Sequence, residues 1–112
     1  MIVYGIKNCD SVKKCRAYLQ QKQINYVFHD YRSDGITVEL VKRFLDELGA
    51  EKVLNKRGTS WRQLPEQLKQ QADSDGLVDV LLGMPTLIKR PIIDDGQHLT
   101  AGFDPQRWDE LG

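Results

Sequence analysis

Cysteine and histidine are scarce: this 112-residue chain has two of each. A disulfide-stapled fold needs several cysteine pairs, and a structural zinc site needs four closely spaced ligands. Both classes are excluded, and no metal is expected. Charge of one sign is also missing: 16 Lys and Arg balance 16 Asp and Glu, for a net charge of zero. Non-specific binding to nucleic acid draws on a large basic excess, so nucleic acid is not an expected partner. No apolar run approaches the roughly 20 residues that cross a bilayer, so no membrane contact is expected. Met1 leads straight into Ile2-Val3-Tyr4 without a charged segment and a long apolar stretch, which reads as no secretory leader. The chain also lacks a P-loop and a G-x-G-x-x-G turn, so no tightly bound cofactor is expected. Cytoplasmic residence with reduced thiols is the expectation.

What is present is globular. Hydrophobic residues make up 40% and charged residues 29% of the chain. The length suits a single monomeric domain over residues 1–112, large enough for a core without cross-links. Ile2–Ile6 reads as a buried strand. Ser11–Lys22 reads as a helix with Val12, Cys15 and Leu19 on one face. Ile24–His29 reads as a second strand, Tyr26 and Phe28 alternating with Val27 and His29. The three elements predict a βαβ unit with parallel strands. Thr37–Leu48 reads as an amphipathic helix capped by Thr37 and stopped by Gly49, with Val38, Val41, Phe44, Leu45 and Leu48 on its apolar side. Shorter helical stretches follow at 50–54, 65–72 and 76–82, with no strand before about Leu87. Pro91–Asp94 and His98–Ala101 flank Asp95-Gly96 as a hairpin, and Asp104-Pro105 opens a last helix. The expected class is α/β: a thioredoxin-like fold (βαβ plus ββα, a four-stranded mixed sheet) with a helical insertion at about residues 33–88.

Cys9 falls in the turn before the first helix. Free N–H groups and the positive end of the helix dipole favour a thiolate there. Lys7, Lys13 and Lys14 add local positive charge. Cys9 is therefore the expected catalytic nucleophile. Cys15 lies on the apolar face and is expected to be an inert, buried thiol. Six helical steps separate the two cysteines by about 9 Å along the axis, beyond the roughly 7 Å that a disulfide tolerates between Cα atoms. A thiol without a resolving neighbour needs an external one, and glutathione is the expected co-substrate. In thioredoxin-like folds a cis-proline faces the cysteine; Arg90-Pro91 is expected to be that bond, with Pro85 as its rival. Its backbone would pair with an extended peptide. Gly102-Phe103-Asp104 is similar to the end of glutaredoxins, where a backbone N–H and an acidic group hold the γ-glutamyl end of glutathione. In Arg57-Gly58-Thr59-Ser60-Trp61-Arg62, a polar loop, Arg57 joins Arg90 as a candidate anion cradle, and Trp61 reads as a core residue.

Four segments carry a family resemblance: Tyr4–Asp10, His29–Arg32, Leu54–Arg62 and Ile88–Pro91. They resemble the arsenate-reductase-like (ArsC/Spx) family, and within it the YffB subgroup, over nearly the whole chain. The resemblance implies a redox-active cysteine at Cys9, with Asn8 beside it in the motif. It implies an oxyanion-binding arginine at Arg90. The second arginine position of the arsenate reductases falls on Asn55, with Arg57 two residues on, and the third falls near Ala101 or Gly102. The C-x-x-C switch of Spx regulators is broken by Val12. The implied function is a glutathione-dependent thiol/disulfide reductase, working on a small thiol, disulfide or oxyanion substrate. Its alternatives are an arsenate reductase and an Spx-like regulator that binds RNA polymerase.

Overall fold

The computed structural model describes residues 1–72 and 76–102. The chain divides into two compact units, one made of Met1–Asp30 and the chain from Arg90 onward, the other of Tyr31–Lys89.

In the first unit, β1 (Ile2–Gly5), α1 (Asp10–Gln21) and β2 (Val27–Asp30) form the βαβ element, and β3 (Ile92–Asp94) and β4 (Leu99–Ala101) form the hairpin. The sheet order is β2-β1-β3-β4. β1 runs parallel to β2 and antiparallel to β3, and β3 runs antiparallel to β4. This is the mixed sheet expected from the sequence. Register places Val3 between Phe28 and Ile93. Their side chains pack with Cys15 and Leu19 of α1. Arg16 lies along this layer with its guanidinium 4.3 Å from the centre of the Phe28 ring, its Nε donating to the Tyr26 hydroxyl at 3.1 Å. On the opposite face Tyr4 meets His29, ring centres 5.1 Å apart.

Several boundaries differ from the sequence reading. β1 stops at Gly5 instead of Ile6, because the Ile6 carbonyl accepts the Cys9 N–H at 3.1 Å. β2 starts at Val27 instead of Ile24: the Ile24 N–H donates to the Leu19 carbonyl at 2.9 Å, and Gln23 takes φ 58°. That is a left-handed helix stop built without glycine. Val27 is 65% exposed, since β2 is an edge strand.

Gly5 is required by close approach. A Cβ there would lie 2.6 Å from Cγ2 of Val12, which is fully buried. Val12 is β-branched and stiff within a helix, so it cannot swing aside. Gly5→Ala is expected to cost roughly 1–2 kcal/mol, the lower part of the overpacking range. In a double-mutant cycle with Val12→Ala the two losses should be less than additive when followed by urea unfolding.

In the second unit α2 (Val38–Leu48) starts and stops as expected. Thr37 Oγ1 accepts the Leu40 N–H at 3.2 Å, and Gly49 takes φ 86°. Val41 and Phe44 are fully buried, whereas Val38, expected on the apolar face, is 40% exposed at the first helical position. Then come α3 (Ala50–Val53), α4 (Thr59–Arg62), α5 (Glu66–Ala72), α6 (Leu77–Gly83) and a 3₁₀ turn at Pro85–Leu87. α6 packs against α2 and α5 through buried Leu77, Val80 and Leu81. Leu54 and Ile88 form an antiparallel bridge, flanked by Asn55 N–H to Leu87 carbonyl and Lys89 N–H to Val53 carbonyl, both 2.7 Å. Among the described residues no helix is long and apolar enough to cross a membrane. The helix expected from Asp104-Pro105 lies outside the described residues.

Candidate functional site

The parallel register of β1 and β2 brings Gly5 beside Asp30, so both strands end together. The turn that follows β1 is short. Lys7 and Asn8 are exposed, and Cys9 is the N-cap of α1 with extended backbone, φ −83° and ψ 129°. Two backbone bonds fix the turn: Cys9 N–H to the Ile6 carbonyl, and Lys13 N–H to the Cys9 carbonyl at 2.9 Å. Cys9 is partly exposed. Its side chain makes no capping hydrogen bond to α1, unlike the arrangement expected for a thiolate in that turn. The helix dipole and open access to solvent are the features that remain. Lys13 and Lys14 are also exposed, and Asp10 in the first turn opposes their charge.

Cys15 is fully buried between Val3, Leu19 and Ile93. Burial pushes its thiol from 9.0 up to about 11. One thiol is therefore accessible and one is sealed.

The Arg90-Pro91 bond is cis. Pro91 is buried, and its carbonyl accepts the Gly102 N–H at 2.8 Å. The backbone that was expected to meet an extended peptide thus already uses the Pro91 carbonyl and the Gly102 N–H within the sheet. Arg90 is half-buried next to it. Cys9, Asn8, Arg90, Pro91 and Gly102 all belong to the first unit, and Arg57 belongs to the second, where it is exposed. Phe103 and Asp104 lie outside the described residues. No group of three His, Cys, Asp or Glu side chains among the described residues could hold a metal ion.

Sequence reasoning missed Asp30. This carboxylate is 9% exposed, and its Oδ2 accepts the Lys7 N–H at 3.2 Å, bracing the turn two residues before Cys9. Its position depends on strand register, which no local pattern reveals; the signals in the sequence are an acidic residue just after an apolar strand and its place in the His29–Arg32 segment. Asp30→Ala should cost about 1–2 kcal/mol and slow alkylation of Cys9, while Asp30→Asn, which keeps an acceptor, should restore most of both. Equal alkylation rates across all three proteins would remove Asp30 from the site.

Comparison with known proteins places this geometry in a family. The ArsC family model matches residues 4–111. A relative from Haemophilus influenzae, an uncharacterized protein, is 44% identical over 95% of this chain and 93% of its own length. The global transcriptional regulator Spx of Lactiplantibacillus plantarum is 27% identical over 93% of this chain and 80% of its own. Among solved structures, the YFFB protein superposes with a TM-score of 0.88 at 39% identity, covering 97% of this chain and 96% of that one. An arsenate reductase (ArsC) related protein from Brucella melitensis superposes with a TM-score of 0.79 at 38% identity, covering 97% and 91%. The fold is thus thioredoxin-like, and the chain belongs to the ArsC family.

Proposed function

We propose that this protein is a cytoplasmic thiol oxidoreductase in which Cys9 carries a glutathione-dependent thiol/disulfide exchange. The observation that supports it is the asymmetry of the two cysteines: Cys9 stands partly exposed at the head of a 12-residue helix, and Cys15 is fully buried. A single accessible thiol fits a one-cysteine cycle. The Cys9 thiolate attacks a glutathionylated thiol, forming an S–S bond to the glutathione sulfur while the substrate thiolate leaves and takes a proton. A second glutathione thiolate then attacks this mixed disulfide, releasing oxidised glutathione and restoring Cys9. The substrate sulfur is reduced and the sulfur of the incoming glutathione is oxidised, while the glutathione sulfur already bound to the substrate stays at the disulfide level throughout. Arg90, half-buried beside cis-Pro91, is assigned to a carboxylate of the incoming glutathione.

Exposure to oxidised glutathione should add one glutathione per chain, on Cys9, and reduced glutathione should remove it. Intact mass followed by peptide mapping reads both steps. An unmodified chain, or an adduct on Cys15, would defeat the proposal.

A further inference from the structure

The side chain of Arg16 is fixed at two points. Its guanidinium rests 4.3 Å from the centre of the Phe28 ring, and its Nε donates to the Tyr26 hydroxyl at 3.1 Å. Gln20 Nε2 reaches the same hydroxyl at 3.5 Å. Yet among the described residues no carboxylate pairs with Arg16. A guanidinium ordered in advance has already given up the freedom that binding an anion would otherwise cost it. Cys9, Lys13 and Arg16 stand at i, i+4 and i+7, so they line one face of α1 from its head downward. The Lys13 N–H donates to the Cys9 carbonyl at 2.9 Å, which sets the first step of that line. Lys13 is exposed, and among the described residues it too has no carboxylate partner; Asp10, three places before it, pairs with neither Lys13 nor Lys14. All three cations of α1 fall within its first seven residues, and its last turn has none. The helix dipole favours the opposite placement, so helix stability does not account for them.

We propose that Lys13 and Arg16 select the substrate of Cys9: a glutathionylated protein or peptide thiol with acidic side chains close along the chain from its reacting cysteine. The inference rests on the exchange chemistry proposed for Cys9 and adds the class of thiol that is released. Along the helix axis Lys13 lies roughly 6 Å and Arg16 roughly 10 Å from Cys9, at about 1.5 Å per residue. An extended peptide advances about 3.3 Å per residue. Carboxylates two and three residues from the substrate cysteine therefore come level with the two cations. Arg16 offers a fork that suits a carboxylate, and Lys13 adds a point charge beside the path. A thiol the size of free cysteine is too short to reach Arg16 and gains nothing from it.

The test compares three glutathionylated peptides that differ only two and three residues after the cysteine, where they carry Glu-Glu, Gln-Gln or Lys-Lys. Turnover with glutathione, coupled to glutathione reductase at low ionic strength and corrected for the rate with Cys9→Ser, gives kcat/KM for each. The Glu-Glu peptide should exceed Gln-Gln about fivefold and Lys-Lys about twentyfold, and both ratios should shrink as salt shortens the screening length. Lys13→Glu, at an exposed position outside the core, should bring the advantage of Glu-Glu over Gln-Gln down to about twofold or less, and adding Arg16→Gln should reverse it. Lys42→Gln with Lys52→Gln removes the same two units of charge in the second unit and should leave the advantage above about fourfold. Equal turnover of the three peptides would overturn this inference and leave the Cys9 chemistry standing, whereas turnover of none would defeat both. An advantage that Lys13→Glu does not reduce, or that the Lys42 and Lys52 pair reduces as much, would also overturn it.

Discussion

Cys9→Ser is expected to abolish the glutathione adduct and to lower the rate of thiol/disulfide exchange by about three orders of magnitude or more, because no other nucleophile can enter the cycle. Serine keeps the size and the N-cap position, so the turn and α1 should survive; serine is in fact the stronger cap. Unfolding of Cys9→Ser should therefore match the parent or improve on it. Cys15→Ala is the companion, and it should retain exchange activity. Turnover of a glutathionylated small thiol, coupled to glutathione reductase, measures the loss. Exchange persisting in Cys9→Ser, or vanishing in Cys15→Ala with the fold intact, would move the chemistry away from Cys9.

High pH should expose the second thiol. In the folded chain burial holds Cys15 up to about 11, against 9.0 for an unburied thiol. A folded-state value above the unfolded one means that the unfolded chain releases its proton first as pH rises. The stabilisation is complete below pH 9 and is lost as pH climbs through 11. The loss amounts to roughly 2–3 kcal/mol at about 1.4 kcal/mol for each unit. Subtracting the unfolding free energy of Cys15→Ala at each pH isolates this contribution from the tyrosines and lysines that titrate in the same window. The difference should stay flat to pH 9 and narrow or reverse by pH 11. A difference that does not move would show that the thiol is wetter than its surroundings imply. Alkylation gives an independent reading: one equivalent of reagent taken up by the native protein, two by the unfolded one.

Much of the sheet-bearing unit, and α2 of the second unit, was legible because the signals are local. Val12, Cys15 and Leu19 mark the buried face of α1 by spacing alone, and all three are fully buried. Thr37 and Gly49 bound α2 through capping chemistry that acts within one helical turn. Asp95-Gly96 marks the hairpin because Asp95 accepts the N–H groups of Gln97 and His98 at 2.8 and 2.7 Å, bonds that also hold its carboxyl below the usual range. What escaped the sequence depends on partners distant along the chain. Asp30 finds Lys7 across 23 positions, and among the described residues Leu54 finds Ile88 only after four helical elements have closed between them. α4 is one turn long and polar, so it carries no apolar period to read. Cys9 was identifiable by position, but the missing cap bond to its sulfur was not, because it depends on how the turn directs the side chain.

The outer strands of the sheet carry a consequence for solubility. β2 spans four residues and β4 three. A rim that brief offers a second molecule too few donors and acceptors to prolong the pleat, which is how natural β proteins resist end-on growth into fibres. Concentrated solutions should therefore stay clear even though Val27 presents a bare aliphatic side chain at that rim.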